Sequence, residues 1–263
     1  MQKHSDRQTG GRTTPRIPRM SSISFLFLNL LLLPTISTSL FSGLFPVRGV
    51  SIAPARTSDF PMLATFFTDA FWVDKKNGSR LSERSIINLR TRQLGEFKKR
   101  YSRQGKSVLL VASRPIAGGR SAKRKTNISK STAALLGAEE EESALGEIIG
   151  CVAVDASTLI DASTGKRLSN VPVMSNLAVG KKWRGRGVAT RLVHEIEMMA
   201  SKLYNSDNLF LKVDASNNKA RKLYRKNGYI EGWREEVNTL TPSGVDMLET
   251  FSNVYVMAKK LNK

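Results

Sequence analysis

Val173-Met-Ser-Asn-Leu-Ala-Val-Gly-Lys-Lys-Trp-Arg-Gly-Arg-Gly-Val-Ala-Thr-Arg-Leu192 reads as three pieces in a row: a β-rich apolar run, a basic turn carrying glycines, and the opening of a helix. Such a turn leaves backbone N–H groups without helical partners, and these together with the helix dipole favour an anion. Gly185 and Gly187 would let the backbone approach that anion closely. Beyond the turn, Ala189, Leu192, Val193, Ile196, Met199, Ala200 and Leu203 share one face, the stripe of an amphipathic helix.

Working upstream, Val50 to Arg56 reads as a short first strand, and Phe60, Leu63, Ala64, Phe67 and Phe71 recur at helical spacing through Trp72. Asn77-Gly78 marks a turn, and Leu81 to Tyr101 forms a second helix with a basic outer face. Ser107 to Ser113 and Gly146 to Val154 are β-rich strands. The segment between them, about 115–145, is rich in Gly, Ser, Lys and Glu and is expected to be a disordered insertion. Residues 155–170 read as a polar connection leading into the strand Val171 to Val179.

Downstream, Leu209 to Val213 is a strand, and a short helix ends at Asn227-Gly228. Tyr229 to Val237 and Phe251 to Ala258 close the chain as two strands joined through a Pro242-Ser-Gly244 turn. The element order is β-α-α-β-β-β-α-β-α-β-β: an α/β fold with one mixed, mostly antiparallel central sheet and helices on both faces, in a single domain over 50–263.

Composition narrows the chemistry. One cysteine, Cys151, excludes an internal disulfide and a cysteine zinc cluster, and His4 and His194 stand far apart, so no metal is expected. An ordinary helix-surface role is the plainer reading of His194. The net charge of +20 raises nucleic acid or an anionic membrane as partners, yet residues 1–57 alone carry seven Lys/Arg against one acid. A further basic run, Arg114 to Lys130, lies in the insertion and reads as a solvated loop or as a rim that steers an anion. Aromatics make up 7% and do not interleave with the basic residues as a stacking platform would.

Residues 1–49 read as a targeting presequence without a fold of its own. Arg12, Arg16 and Arg19 precede the apolar run Ile23 to Leu33, followed by Pro34 and small residues at Ser37 and Ser39, the layout of a secretory signal peptide. Translation could equally start at Met20. The segment Leu40 to Ser58 has Arg48, Arg56 and hydroxyl residues but no acid, a transit-like composition. A signal-like piece followed by a transit-like one resembles the bipartite presequences of plastids with additional membranes. The alternatives are the secretory pathway and an uncleaved membrane anchor.

The glycines do not by themselves identify the anion. A dinucleotide fingerprint needs G-x-G-x-x-G, but Thr190 occupies the third glycine position counted from Gly185, and no P-loop spacing surrounds Gly180-Lys181. Arg184-x-x-Gly187-x-Ala189 instead resembles the R/Q-x-x-G-x-G/A motif of the GNAT superfamily of N-acetyltransferases. Val213-x-x-x-Asn217-x-x-Ala220-x-x-Leu223-Tyr224-x-x-x-Gly228-Tyr229 resembles that family's second motif, and Val254 to Leu261 its closing strand.

The resemblance implies a GNAT fold, acetyl-CoA as co-substrate, and a set of roles. Leu177, Ala178 and Val179 would pair with the pantetheine arm, in a slot opened by splaying of the strand Leu209 to Val213. Arg184, Gly185, Arg186, Gly187, Val188, Ala189 and Thr190 would hold the pyrophosphate, with Lys181 and Lys182 at the rim. Asn217 would touch the coenzyme arm, although an N-cap role suits it equally. Tyr224, otherwise an ordinary core aromatic, would protonate the departing thiolate as general acid.

The implied reaction is direct attack of a neutral amine on the thioester, with the carbonyl oxygen held by a backbone N–H of Leu177 to Val179. Ser175 and Asn176 lie on the central strand without a carboxylate beside them, leaving Glu147, Glu231 or waters as base. The expected acceptors are protein N-terminal α-amines, then lysine ε-amines, in a plastid. A small-molecule amine such as an arylalkylamine is the enzymatic alternative, and a basic coenzyme-binding or nucleic-acid-associated module the non-enzymatic one.

Overall fold

The computed structural model describes residues 49–73, 81–102, 107–115, 146–243 and 246–261. The presequence and the insertion expected from sequence therefore lie outside the described residues, apart from the ends of each. The described residues belong to one unit, Thr38–Lys263.

The strands are β1 (Ser51–Pro54), β2 (Val108–Arg114), β3 (Glu147–Ile160), β4 (Arg167–Val179), β5 (Asn208–Asp214), β6 (Ile230–Ser243) and β7 (Asp246–Lys260). The helices are α1 (Phe60–Thr68), α2 (Glu83–Tyr101), α3 (Val188–Tyr204) and α4 (Asn218–Lys226). The seven strands form one sheet in the order β1-β2-β3-β4-β5-β7-β6. Every neighbouring pair is antiparallel except β4 and β5, which run parallel.

Alternation along the strands sorts side chains to two faces. On one face, Leu110, Ile149, Val152 and Met174 pack against Val188, Leu192, Val193 and Ile196 of α3. On the other, Leu109, Val111, Cys151 and Ala153 meet Phe60, Leu63 and Phe67 of α1 and Leu94 and Phe97 of α2. Burying a side chain such as Leu192 or Phe97, each fully buried, contributes about 1.5–3 kcal/mol. Helices thus cover both faces, as the two amphipathic stripes require.

Three boundaries differ from the sequence expectation. Residues 155–170 do not form a loose connection: β3 runs on to Ile160 and β4 starts at Arg167. The turn between them is tight, with Asp161 N–H donating to Lys166 O at 2.9 Å and the Asp161 carboxylate accepting from Ser163 N at 2.9 Å. The polar residues of this hairpin hid its strands. The first helix passes at Asp69 into a π turn, Asp69–Val73, instead of continuing as α-helix. The last hairpin is also longer than expected, since β6 reaches Ser243 and β7 begins at Asp246, so Pro242 and Ser243 belong to a strand.

Candidate active site

The slot expected between β4 and β5 is visible in the pairing. The two strands share only Val173↔Phe210 and Met174↔Leu211, although β4 continues to Val179 and β5 to Asp214. Leu177, Ala178 and Val179 therefore turn one ladder edge toward the gap, while the other edge holds β3 through Cys151↔Ala178 and Gly150↔Val179. Backbone N–H and C=O groups that β5 does not pair along that edge suit an amide-bearing, extended ligand.

At the point of parting β4 carries a bulge. Cys151 faces Ala178 and Ala153 faces Ser175, so Val152 stands opposite both Asn176 and Leu177. Asn176 takes φ +54°, the left-handed region that asparagine tolerates better than most residues. Its side-chain Nδ2 donates to the Tyr101 hydroxyl of α2 at 3.1 Å.

The turn follows directly. Lys181–Trp183 is a single 3-10 turn, and Gly185 and Gly187 take φ +76° and +83°. Gly187 is the N-cap of α3 without a side-chain cap, so the first N–H groups of the helix, from Val188, Ala189 and Thr190, have no acceptor within it. Arg184 and Arg186 are exposed at this end. Arg186 lies over the Trp183 ring at 5.3 Å, and Arg114 reaches the same ring at 5.5 Å. Arg184 is fixed by the protein itself: its Nε donates to Val179 O at 2.9 Å and its Nη2 to Ala70 O at 2.7 Å. It ties the end of β4 to the π turn after α1.

Asn217 is the N-cap of α4, its Oδ1 accepting from Ala220 N at 3.1 Å. Arg221 anchors the same helix, with Nε donating to Glu231 Oε1 at 2.9 Å and the guanidinium 4.4 Å above the Tyr255 ring. Tyr224 is buried at the α3 face, 5.9 Å from Tyr229 in a T-shaped pair. Burial pushes its phenol up to about 12, so it stays protonated near neutral pH. The helix ends at Gly228, φ +87°, as the Asn-Gly signal predicted.

The carboxylates named from sequence lie away from the bulge. Glu231 is held by Arg221 and Arg225, and its pKa is lowered first by the Arg221 hydrogen bond. A carboxylate so held is a poor proton acceptor. Glu147 pairs with Arg114 in the β2–β3 ladder, three residues before the Gly150 that faces Val179. His194 sits on α3, half-buried, away from the turn. Among the described residues, no group of His, Cys, Asp and Glu could hold a metal.

Sequence reasoning passed over three residues here. Tyr101 closes a basic helix and gives no motif; it meets Asn176 across 75 positions. Gly150 lies beneath α3, and Arg221 falls inside the second motif without a role assigned to it. A glycine within an apolar strand was the one available signal, since it marks close approach of another element.

Residues 131–231 match the family model of the acetyltransferase (GNAT) domain. Over those residues the chain carries a GNAT acetyltransferase domain. Its fold is also that of the Arabidopsis thaliana NAA60 structure in complex with a bisubstrate analogue, at TM-score 0.50 and 19% identity, covering 81% of this chain and 99% of that one. A GNAT-family acetyltransferase from Streptococcus pneumoniae aligns at TM-score 0.48 and 16% identity, over 81% and 99%. A ribosomal-protein-alanine N-acetyltransferase from Brucella melitensis aligns at 0.46 and 18%, over 80% and 99%. No curated protein matches the chain in sequence. The GNAT assignment accounts for the parted strands and the glycine turn together.

Proposed function

We propose that this acetyltransferase moves the acetyl group of acetyl-CoA to protein N-terminal α-amines, with lysine ε-amines as a second acceptor, inside a plastid. The observation that carries the coenzyme reading is the parting of β4 from β5 after Met174 and Leu211, at the mouth of a helix N-terminus. The pantetheine arm would lie along Leu177–Val179 and the pyrophosphate against Gly185–Thr190, with Arg186, Lys181 and Lys182 adding charge. Arg184 shapes that turn from behind, and Asn217 caps the helix flanking the coenzyme arm.

The amine nitrogen attacks the thioester carbon, a backbone N–H near the bulge takes the charge on the carbonyl oxygen, and the C–S bond breaks. Tyr224 donates its proton to the leaving sulphur and regains one from water, which also takes the proton lost by the amine. A phenol near 12 is a weak acid for an ordinary thiolate. Burial shifts thiols in the same upward direction, as it does at Cys151, so a thiolate released into a partly dry slot takes that proton more readily than one in water. The carboxylates considered as bases lie elsewhere, which favours acceptors that are partly neutral unaided. α-Amines, with pKa about 7.7–8.0 against about 10.4 for lysine, meet that condition.

A peptide library with free N-termini, compared with lysine peptides and a panel of arylalkylamines, tests the acceptor. Faster turnover of arylalkylamines than of any peptide overturns it. Mapping the mature N-terminus in cells, with fractionation, tests the compartment.

A further inference from the structure

We infer that Tyr101, at the end of α2, is a positioning residue for acetyl transfer: it locks the Asn176 bulge whose backbone faces the parting of β4 and β5. The inference rests on the acetyl-transfer reading.

Three contacts converge on Asn176, two at its side-chain amide and one at its backbone carbonyl. The Asn176 amide donates to the Tyr101 hydroxyl at 3.1 Å. The Asn176 carbonyl accepts from the Cys151 thiol at 3.4 Å on β3. The Ser175 hydroxyl lies 3.4 Å from the same amide. Tyr101 is itself fixed, buried against Phe97 at 6.0 Å between ring centroids, while its neighbour Arg100 pairs with Asp155 on β3.

The chemistry explains why such a lock is useful. A left-handed residue in a strand rotates the next peptide out of the ladder, so its N–H can face the gap instead of β3. Preorganised donors lower a barrier only if they are already aimed where charge develops. The β3–β4 backbone pairing is interrupted at the bulge, so β3 reaches this peptide only through the Cys151 thiol. Tyr101 supplies a second constraint from another element. It acts through Asn176 and does not touch the reacting atoms.

Asparagine and glycine both accept φ near +54°, whereas alanine does so at a cost. The variants Tyr101→Phe, Asn176→Ala and Asn176→Gly therefore separate a backbone role from a side-chain contact with substrate. Tyr101→Phe and Asn176→Ala should lower kcat by about 10- to 1000-fold, the range of a misdirected oxyanion donor, with the acetyl-CoA KM held. Asn176→Gly, which accepts the φ but lacks the amide that Tyr101 holds, should also fall well below the parent. Parent kcat in Asn176→Gly or in Tyr101→Phe overturns the inference. Hydrogen exchange over residues 173–180 reads the lock without any activity: it should quicken in Tyr101→Phe while α3 stays protected. Unchanged exchange overturns the inference whatever the kinetics. Failure of the parent to bind acetyl-CoA by calorimetry would instead remove the acetyl-transfer reading while the exchange result still stands.

Discussion

Gly150→Ala probes how tightly α3, whose N-terminus forms the anion site, is seated on the sheet. A Cβ at Gly150 would lie 2.8 Å from Leu192 Cδ1, 3.1 Å from Ala178 O and 3.3 Å from Val188 Cγ1. Leu192 is fully buried and Ala178 O belongs to the β4 backbone, so neither can yield freely. The helix must move away from β3, and Val188 is its first residue. Overpacking of this kind costs about 1–3 kcal/mol, which in a domain of this size lowers Tm by about 2–12 °C. Because the displaced turn is Gly185–Thr190, the acetyl-CoA KM should rise several-fold while kcat changes less. Thermal unfolding by circular dichroism and a coenzyme titration read both effects. Adding Leu192→Val, which removes the δ carbon in the way, should recover part of each. An alanine variant that melts with the parent and keeps its KM refutes the reasoning.

Tyr224→Phe should cut kcat by about 10²- to 10⁴-fold with coenzyme affinity retained, as loss of a general acid does; steady-state kinetics with a fixed peptide check it. The pH dependence of stability follows from the same residue. Its folded pKa, about 12, lies above the ordinary tyrosine value of 10.0, so its stabilising contribution is complete below about pH 10 and is lost as pH rises toward about 12; denaturant midpoints across that window should fall less in Tyr224→Phe. Cys151, fully buried with its thiol raised to about 12, should resist iodoacetamide in the native protein and react once it is unfolded. Asn217→Ala should cost about 0.5–2 kcal/mol of stability through loss of the α4 cap, measured by urea denaturation.

Local signals carried most of the fold. The apolar stripe of α3, the Asn227-Gly228 stop and the β-rich runs each report a neighbourhood of a few residues, and the structure follows them. The hairpin at 155–170 escaped because strands projecting with exposed polar side chains lack the alternation that burial imposes. The glycine turn was legible for the same reason that α3 was: Arg184 to Thr190 are consecutive. What could not be read was which distant side chains meet there. Arg184 appeared to be one more charge for an anion, yet its guanidinium grips Ala70 O from 114 positions away. Glu231 was a candidate base only until Arg221 and Arg225 were seen holding it.

Those distances bear on how the enzyme is assembled in time. Contacts within a dozen residues close fast, and long loops are slower to meet. The turn before α3 and the cap of α4 are of the first kind. Tyr101 to Asn176 is of the second, and so is the bond from Ser85 Oγ on α2 to Asp246 Oδ1 at 2.7 Å, which joins residues 161 apart. The coenzyme turn belongs to both kinds, because Arg184 ties it to Ala70 across 114 positions. Coenzyme binding and turnover should therefore return together in a refolding chain, once the long-range contacts have closed.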